Sequence, residues 1–209
     1  MIPPAHSPPH LLNSARWEGL RIGLLGGSFN PPHEGHTHIS LTALRTLKLD
    51  FIWWLVTPQN PFKDADDTLP LDERIDMCRS FIHHPQILVT DIESEIGAAR
   101  SYEMLIALRT AFPHTDFAWI TGMDIAHEFH LWHRWQDLLK LTATAHIARP
   151  PFQSLVRDCP LRLTGGQQNH TVLSKAEKAP LSPGNSYWIL DTKLLEMASS
   201  TLRNDMLNQ

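Results

Sequence analysis

Leu20-Arg21-Ile22-Gly23-Leu24-Leu25 followed by Gly26-Gly27-Ser28-Phe29-Asn30-Pro31-Pro32-His33-Glu34-Gly35-His36 decides the fold: an apolar run of strand length crosses two glycines and two prolines into a helix. Ile39, Ala43, Leu44 and Leu47 then share one helical face. Phe51 to Val56 is the next strand, apolar on both of its faces. A strand buried on both faces and joined to the next by a helix belongs to a parallel sheet, so the alternation predicts an α/β, doubly wound architecture.

The same alternation runs on. Leu71, Ile75, Cys78 and Ile82 recur at helical spacing behind Thr68 and Pro70, and Ile87 to Val89 is a short strand. Ser101 is placed to cap a helix burying Met104, Leu105, Leu108 and Phe112. Phe117 to Ile120 reads as a strand, Trp132 to Leu141 as a helix, and His146 to Ala148 and Tyr187 to Leu190 as the last strands. Residues 1–19, with Pro3, Pro4, Pro8 and Pro9, read as a flexible leader, and 20–209 as a single domain. Residues 150–184 hold five prolines and a Gly165-Gly166 pair and read as a surface excursion, with room for a short helix or hairpin.

With 209 residues, 42% apolar and 19% charged, the chain can bury a core of this size. Its net charge of −4, from 18 Lys+Arg against 22 Asp+Glu, and its lack of a basic run argue against a nucleic-acid partner, so an anionic ligand must be held locally. No stretch approaches the roughly 18 to 20 apolar residues of a membrane helix, and the first 20 residues do not resemble a signal peptide. Cys78 and Cys159 show no disulfide or zinc spacing, and a reducing, cytoplasmic location is expected.

The glycine-rich loop lies where open parallel sheets collect ligands. Gly26 and Gly27 let backbone N–H groups approach an anion, and the following helix turns its unpaired N–H groups and positive dipole end to the same place. His33 and His36, three apart across the helix start, can both face the glycines as donors. No GK[ST] follows and no GxGxxG is present, so neither common glycine-rich motif applies. Two other uses fit the bare HxxH spacing: histidines that cap the helix, or His33, His36 and His38 as metal ligands.

The eleven residues 26–36 resemble the GGxFxPxHxGH signature of the nucleotidyltransferase superfamily, and most closely that of bacterial nicotinate-nucleotide adenylyltransferases. The resemblance implies a Rossmann-like nucleotidyltransferase fold, with ATP and nicotinate mononucleotide as partners. In that family the histidines matching His33 and His36 contact ATP phosphates, the second stabilising charge on the α-phosphate, and the backbone matching Gly27 to Phe29 wraps the nucleotide. Gly26, Gly27, Ser28 and Phe29 are thereby expected ATP contacts.

Further matches follow in order along the chain. Lys63 falls on a basic position near the phosphates, and Gly122 and Asp124 match a GxD segment that contacts the nucleotide. Trp132 matches the tryptophan that stacks on the pyridine ring, whereas Trp135 is assigned to the core. Ser101-Tyr102 resembles the segment lining the nicotinate carboxylate pocket, but Glu103 replaces its usual threonine and would repel that carboxylate: either Glu103 points away and the backbone makes the contact, or the selection of nicotinate over nicotinamide is open. Arg149 matches an arginine near the substrate phosphate. Met197 to Arg203 resembles ISSTxIR, with Ser199, Ser200 and Arg203 as ATP contacts, Arg203 also catalytic, and Ala198 departing at the first serine.

The activity implied is transfer of AMP from ATP to nicotinate mononucleotide, with His33, His36 and Arg203 as catalytic groups. Mg²⁺ would be held mainly by the ATP phosphates, since no acidic cluster resembles a protein metal cage. The alternatives are another adenylyltransferase of the superfamily, such as the pantetheine-phosphate type with its SSTxVK motif, or a non-catalytic nucleotide- or metal-binding protein.

Overall fold

The computed structural model describes residues 13–58, 68–98, 100–149, 158–163, 168–173 and 176–190. Seven strands, β1 (Arg21–Gly27), β2 (Phe51–Val56), β3 (Ile87–Thr90), β4 (Asp116–Gly122), β5 (Ala143–Ile147), β6 (Asn169–Leu173) and β7 (Asn185–Ile189), form one sheet in the order β3-β2-β1-β4-β5-β7-β6. Every neighbouring pair is parallel. The α-helices are α1 (Glu34–Leu47), α2 (Leu71–Phe81), α3 (Ile92–Ile96), α4 (Ser101–Ala111), α5 (Trp135–Leu139) and α6 (Pro160–Leu163). None among the described residues is long and apolar enough to cross a membrane.

Consecutive residues of the inner strands feed opposite cores, which is why β1, β2 and β4 are buried on both faces. Leu24, Trp53, Trp119 and Trp188 pack on one side with Met104, Leu105 and Leu108 of α4. Leu25, Trp54, Ile120 and Ile189 pack on the other with Ile39, Ala43 and Leu47 of α1 and Ile75 and Cys78 of α2. The doubly wound sheet expected from the alternation is the one observed.

Several boundaries differ from the expectation. The core begins before Leu20: Ser14–Trp17 forms a 3-10 turn, and Trp17, 1% exposed, packs edge-on against Phe51 and Trp53 at 5.3 and 5.2 Å. Ser101 is the first helical residue of α4, and Arg100 occupies the cap position. The helix read over Trp132 to Leu141 is only α5, preceded by 3-10 turns at Met123–His127 and Phe129–Leu131. The Pro-rich excursion contains α6 and the edge strand β6, whose mostly exposed residues lack the two-sided apolar signature. β5 starts at Ala143, paired with Ala118, and the threonines that break its apolar run, Thr142 and Thr144, are fully buried with hydrogen-bond partners in Phe117 and Ser186.

Candidate active site

The strand order reverses between β1 and β4: the chain builds β2 and β3 to one side of β1 and β4 to β7 to the other. Connections leaving the carboxyl ends of β1 and β4 diverge there and leave a crevice, where ligands of such sheets bind. A cavity of about 690 Å³ occupies this place. It is bordered by Gly26 to Phe29, His33, His36 and Arg149 and by Trp119, Ile125, Leu131, Trp132 and His133, with the Trp119 ring against Gly26, where a Cβ would lie 3.4 Å from it.

The two histidines form a reciprocal cap on α1. His33 is its N-cap residue, and its Nδ1 accepts from the Gly35 N–H at 3.1 Å. The His33 N–H in turn donates to Nδ1 of His36 at 3.2 Å, and the ring centroids are 3.9 Å apart. Capping and ligand binding are therefore compatible, because an imidazole that accepts at Nδ1 carries its proton on Nε2. Both rings border the cavity.

Burial above all, and the Arg149 charge next, push His33 down from 6.5 to about 4, against a smaller opposing pull from Asp124. His33 is thus a neutral donor at pH 7. His36 is set by its neighbours: its ring lies 4.6 Å from that of Phe29, which stacks on Trp54 at 4.7 Å. Phe29 holds a left-handed backbone, φ +46°, that turns the loop over the strand end.

Arg149 and Asp124 are joined by two bonds, Nε to Oδ1 at 3.0 Å and Nη2 to Oδ2 at 2.6 Å. Gly122 makes room for this pair, since a Cβ there would collide with Asp124 Oδ1 and lie 3.0 Å from Arg149 Nε. Asp124 does not itself border the cavity; its partner Arg149 does. Among the aromatic residues Trp132 stacks on Phe129 at 4.8 Å, with Trp119 edge-on at 6.1 Å.

Tyr102 and Glu103 turn out of the cavity. The Arg134 guanidinium lies 4.1 Å over the Tyr102 ring, and Glu103 Oε1 is 3.4 Å from His133 Nε2. Ser101 and Arg100, not Tyr102 or Glu103, border the cavity, as does His133, the partner of Glu103. His38 pairs with the Ala148 carbonyl at 3.3 Å, away from the other two histidines of the metal alternative. Among the described residues no group of three His, Cys, Asp or Glu could hold a metal ion. Lys63, Ser199, Ser200 and Arg203 lie outside the described residues.

The sequence reading missed Thr57, Glu93, Arg100 and His133, which also border the cavity, and Arg74 behind it. For Arg74 a signal was present: it adjoins Ile75 and precedes Cys78 by one helical turn, on the face that must be buried.

Buried titratable groups give the fold an opposed pH response. His146, fully buried, is pushed down to about 3 by burial and then by His170; burial pushes Glu93 up to about 7, partly offset by a hydrogen bond with Thr57. The unfolded chain holds more protons on His33 and His146, so these two make stability fall as pH drops below 6.5. Glu93 holds its proton more tightly when folded, so its contribution falls as pH rises from 4.5 to about 7. Two histidines against one glutamate leave stability rising with pH between 4.5 and 6.5, and Glu93→Gln is therefore expected to steepen that rise, read from urea unfolding at stepped pH.

Residues 24–204 match the family model described as cytidylyltransferase-like. A Ruegeria pomeroyi protein named "Probable nicotinate-nucleotide adenylyltransferase" is 35% identical over 191 residues, covering 88% of this chain and 86% of the relative. The chain belongs to this cytidylyltransferase-like, nicotinate-nucleotide adenylyltransferase family. A Cereibacter sphaeroides member of the same printed name is 46% identical over 129 residues, 62% of this chain and 69% of the relative. The Plasmodium falciparum nicotinic acid mononucleotide adenylyltransferase complexed with NaAD superposes with a TM-score of 0.64 at 18% identity, covering 88% of this chain and 83% of that one. At that identity the likeness establishes a shared nucleotidyltransferase fold.

Proposed function

We propose that the cavity binds ATP and nicotinate mononucleotide and transfers AMP to the latter, giving nicotinate adenine dinucleotide and pyrophosphate. The observation that carries this is the cavity's lining: the glycine loop, the capping histidine His33 and Arg149 border the same space as the half-buried Trp132. Family membership supports the same substrates.

An oxygen of the mononucleotide 5′-phosphate attacks the α-phosphorus of ATP, and the bond from that phosphorus to the α–β bridging oxygen breaks. Both reactants are anionic and the nucleophile is already ionised, so the protein's work is to align them and offset charge. Neutral His33 directs its Nε2–H to the phosphates beside the N-terminus of α1, His36 borders the same place, and Arg149, oriented by Asp124, adds charge there. The matched positions Lys63, Ser199, Ser200 and Arg203 are assigned to the same phosphates. Asp124 is engaged by Arg149, so Mg²⁺ fits as an ion held by the ATP phosphates, where it would neutralise charge on the non-bridging oxygens. Cys78 and Cys159 are buried thiols, which suits the cytoplasm.

Pyrophosphate release is the test. With ATP and Mg²⁺, nicotinate mononucleotide is expected to give product faster than nicotinamide mononucleotide; product only with 4′-phosphopantetheine would overturn the assignment. Trp132→Ala is expected to raise KM for the mononucleotide about tenfold, with KM for ATP little changed, if the pyridine ring stacks there.

A further inference from the structure

Arg74 on α2 is 1% exposed and has no role in the chemistry described so far. Its Nε donates to the Leu69 carbonyl at 2.8 Å, Nη1 to those of Ser28 at 2.7 Å and Thr57 at 2.8 Å, and Nη2 to that of Pro58 at 2.8 Å. All four acceptors are backbone oxygens, drawn from three separate segments. Among the described residues no carboxylate pairs with it, and the neighbouring Cys78 thiol, which burial pushes up to about 12, stays neutral.

These segments frame the phosphate end of the cavity. Ser28 and Thr57 border it, and the Thr57 N–H donates to the Gly27 carbonyl at 3.0 Å. The Leu69 N–H donates to Asn30 Oδ1 at 3.3 Å, so Leu69 is tied back to the same loop. Pro58 and Leu69 also flank the stretch of sequence that carries Lys63. A planar guanidinium bonding several carbonyls at once fixes their spacing, which a lysine, as a compact charge with fewer directed donors, cannot reproduce.

We infer that Arg74 is a positioning residue: it locks the glycine loop against the end of β2 and the start of α2, presetting the loop for ATP phosphates. Its buried charge, solvated only by carbonyl dipoles, also adds positive potential behind that loop. The identity of the guest rests on the proposed function; the clamp itself rests on the four bonds.

The test uses the full chain with Arg74→Lys, which keeps the charge and loses the fork. KM for ATP is expected to rise roughly 10- to 100-fold, with KM for nicotinate mononucleotide within about twofold of the parent enzyme. Equal rises in both constants would reduce Arg74 to a general stabiliser, and no change in either would remove it from the loop; each overturns the inference. An unmutated enzyme without turnover on these substrates would instead overturn the proposed function. Should Arg74→Lys fail to fold, hydrogen exchange on the unmutated protein decides: ATP alone is expected to slow exchange at the Thr57 and Leu69 amides, and unchanged rates there would sink the inference.

Discussion

Replacing His36 by alanine is expected to lower kcat by roughly 10² to 10³, the scale of losing one donor to a charge that develops in the transition state. The substitution also deletes the acceptor for the His33 N–H, a capping bond whose loss costs about 1 kcal/mol. His36→Gln separates the two effects. A glutamine at the third helical position can still reach back to the cap N–H, as in an ordinary capping box, but does not place an imidazole N–H in the cavity. Its melting temperature should therefore lie near that of the parent while its turnover stays as low as that of the alanine variant. A glutamine variant with recovered turnover would mean that His36 serves the helix and not the reaction.

Gly35→Ala is expected to lower kcat/KM by about 10- to 100-fold through displacement of a donor it never touches in substrate. A Cβ at this position would come within 2.7 Å of His33 Cε1, 2.8 Å of its Nδ1 and 3.1 Å of Arg149 Nη1. The imidazole must swing away, losing its bond to the Gly35 N–H and moving Nε2 from the cavity. Helix propensity works in the opposite direction, since alanine in a helix is favoured over glycine by roughly 0.5 to 1 kcal/mol. A thermally intact but slow variant, with the His33 ring resonances shifted in NMR spectra, is the expected outcome. Parent-like kinetics would show that the His33 geometry is not needed.

The fold was legible because its strands advertise themselves: Phe51 to Val56 has no polar residue on either face, and Ile39 to Leu47 marks one side of a helix. The loop at 26–36 was legible for a related reason, as glycines, prolines and histidines in that order serve few purposes between a strand and a helix. Less regular elements escaped. β6 lies at the sheet edge, where exposed residues erase the apolar signal, and the 3-10 turns before α5 shift the phase on which helical periodicity depends. Trp17 was hidden by its proline-rich context, although a large aromatic side chain has every reason to seek the core.

Within the site, positions could be read but pairings could not. Asp124 and Arg149 are 25 residues apart in sequence, and only strand order reveals that they join each other across the ends of β4 and β5. Glu103 shows the converse. Its composition suggested conflict with an acidic substrate, while the rotation of α4 turns it toward His133 instead. Arg74 illustrates why burial resists prediction from sequence: a guanidinium is ordinarily surface-bound unless its donors are satisfied, and here the acceptors come from loops 16 and 46 positions upstream.

The reciprocal histidine cap leaves this lineage little room for independent adjustment. In most helices the residues that secure the first turn are free to drift among serine, threonine, aspartate and glutamate, because any of them quiets the open amides. Here the same two rings are proposed to greet the triphosphate, so a drift that spared the helix would disarm the enzyme. Natural variation at 33 and 36 should accordingly be narrower than at the cap of any other helix in the molecule.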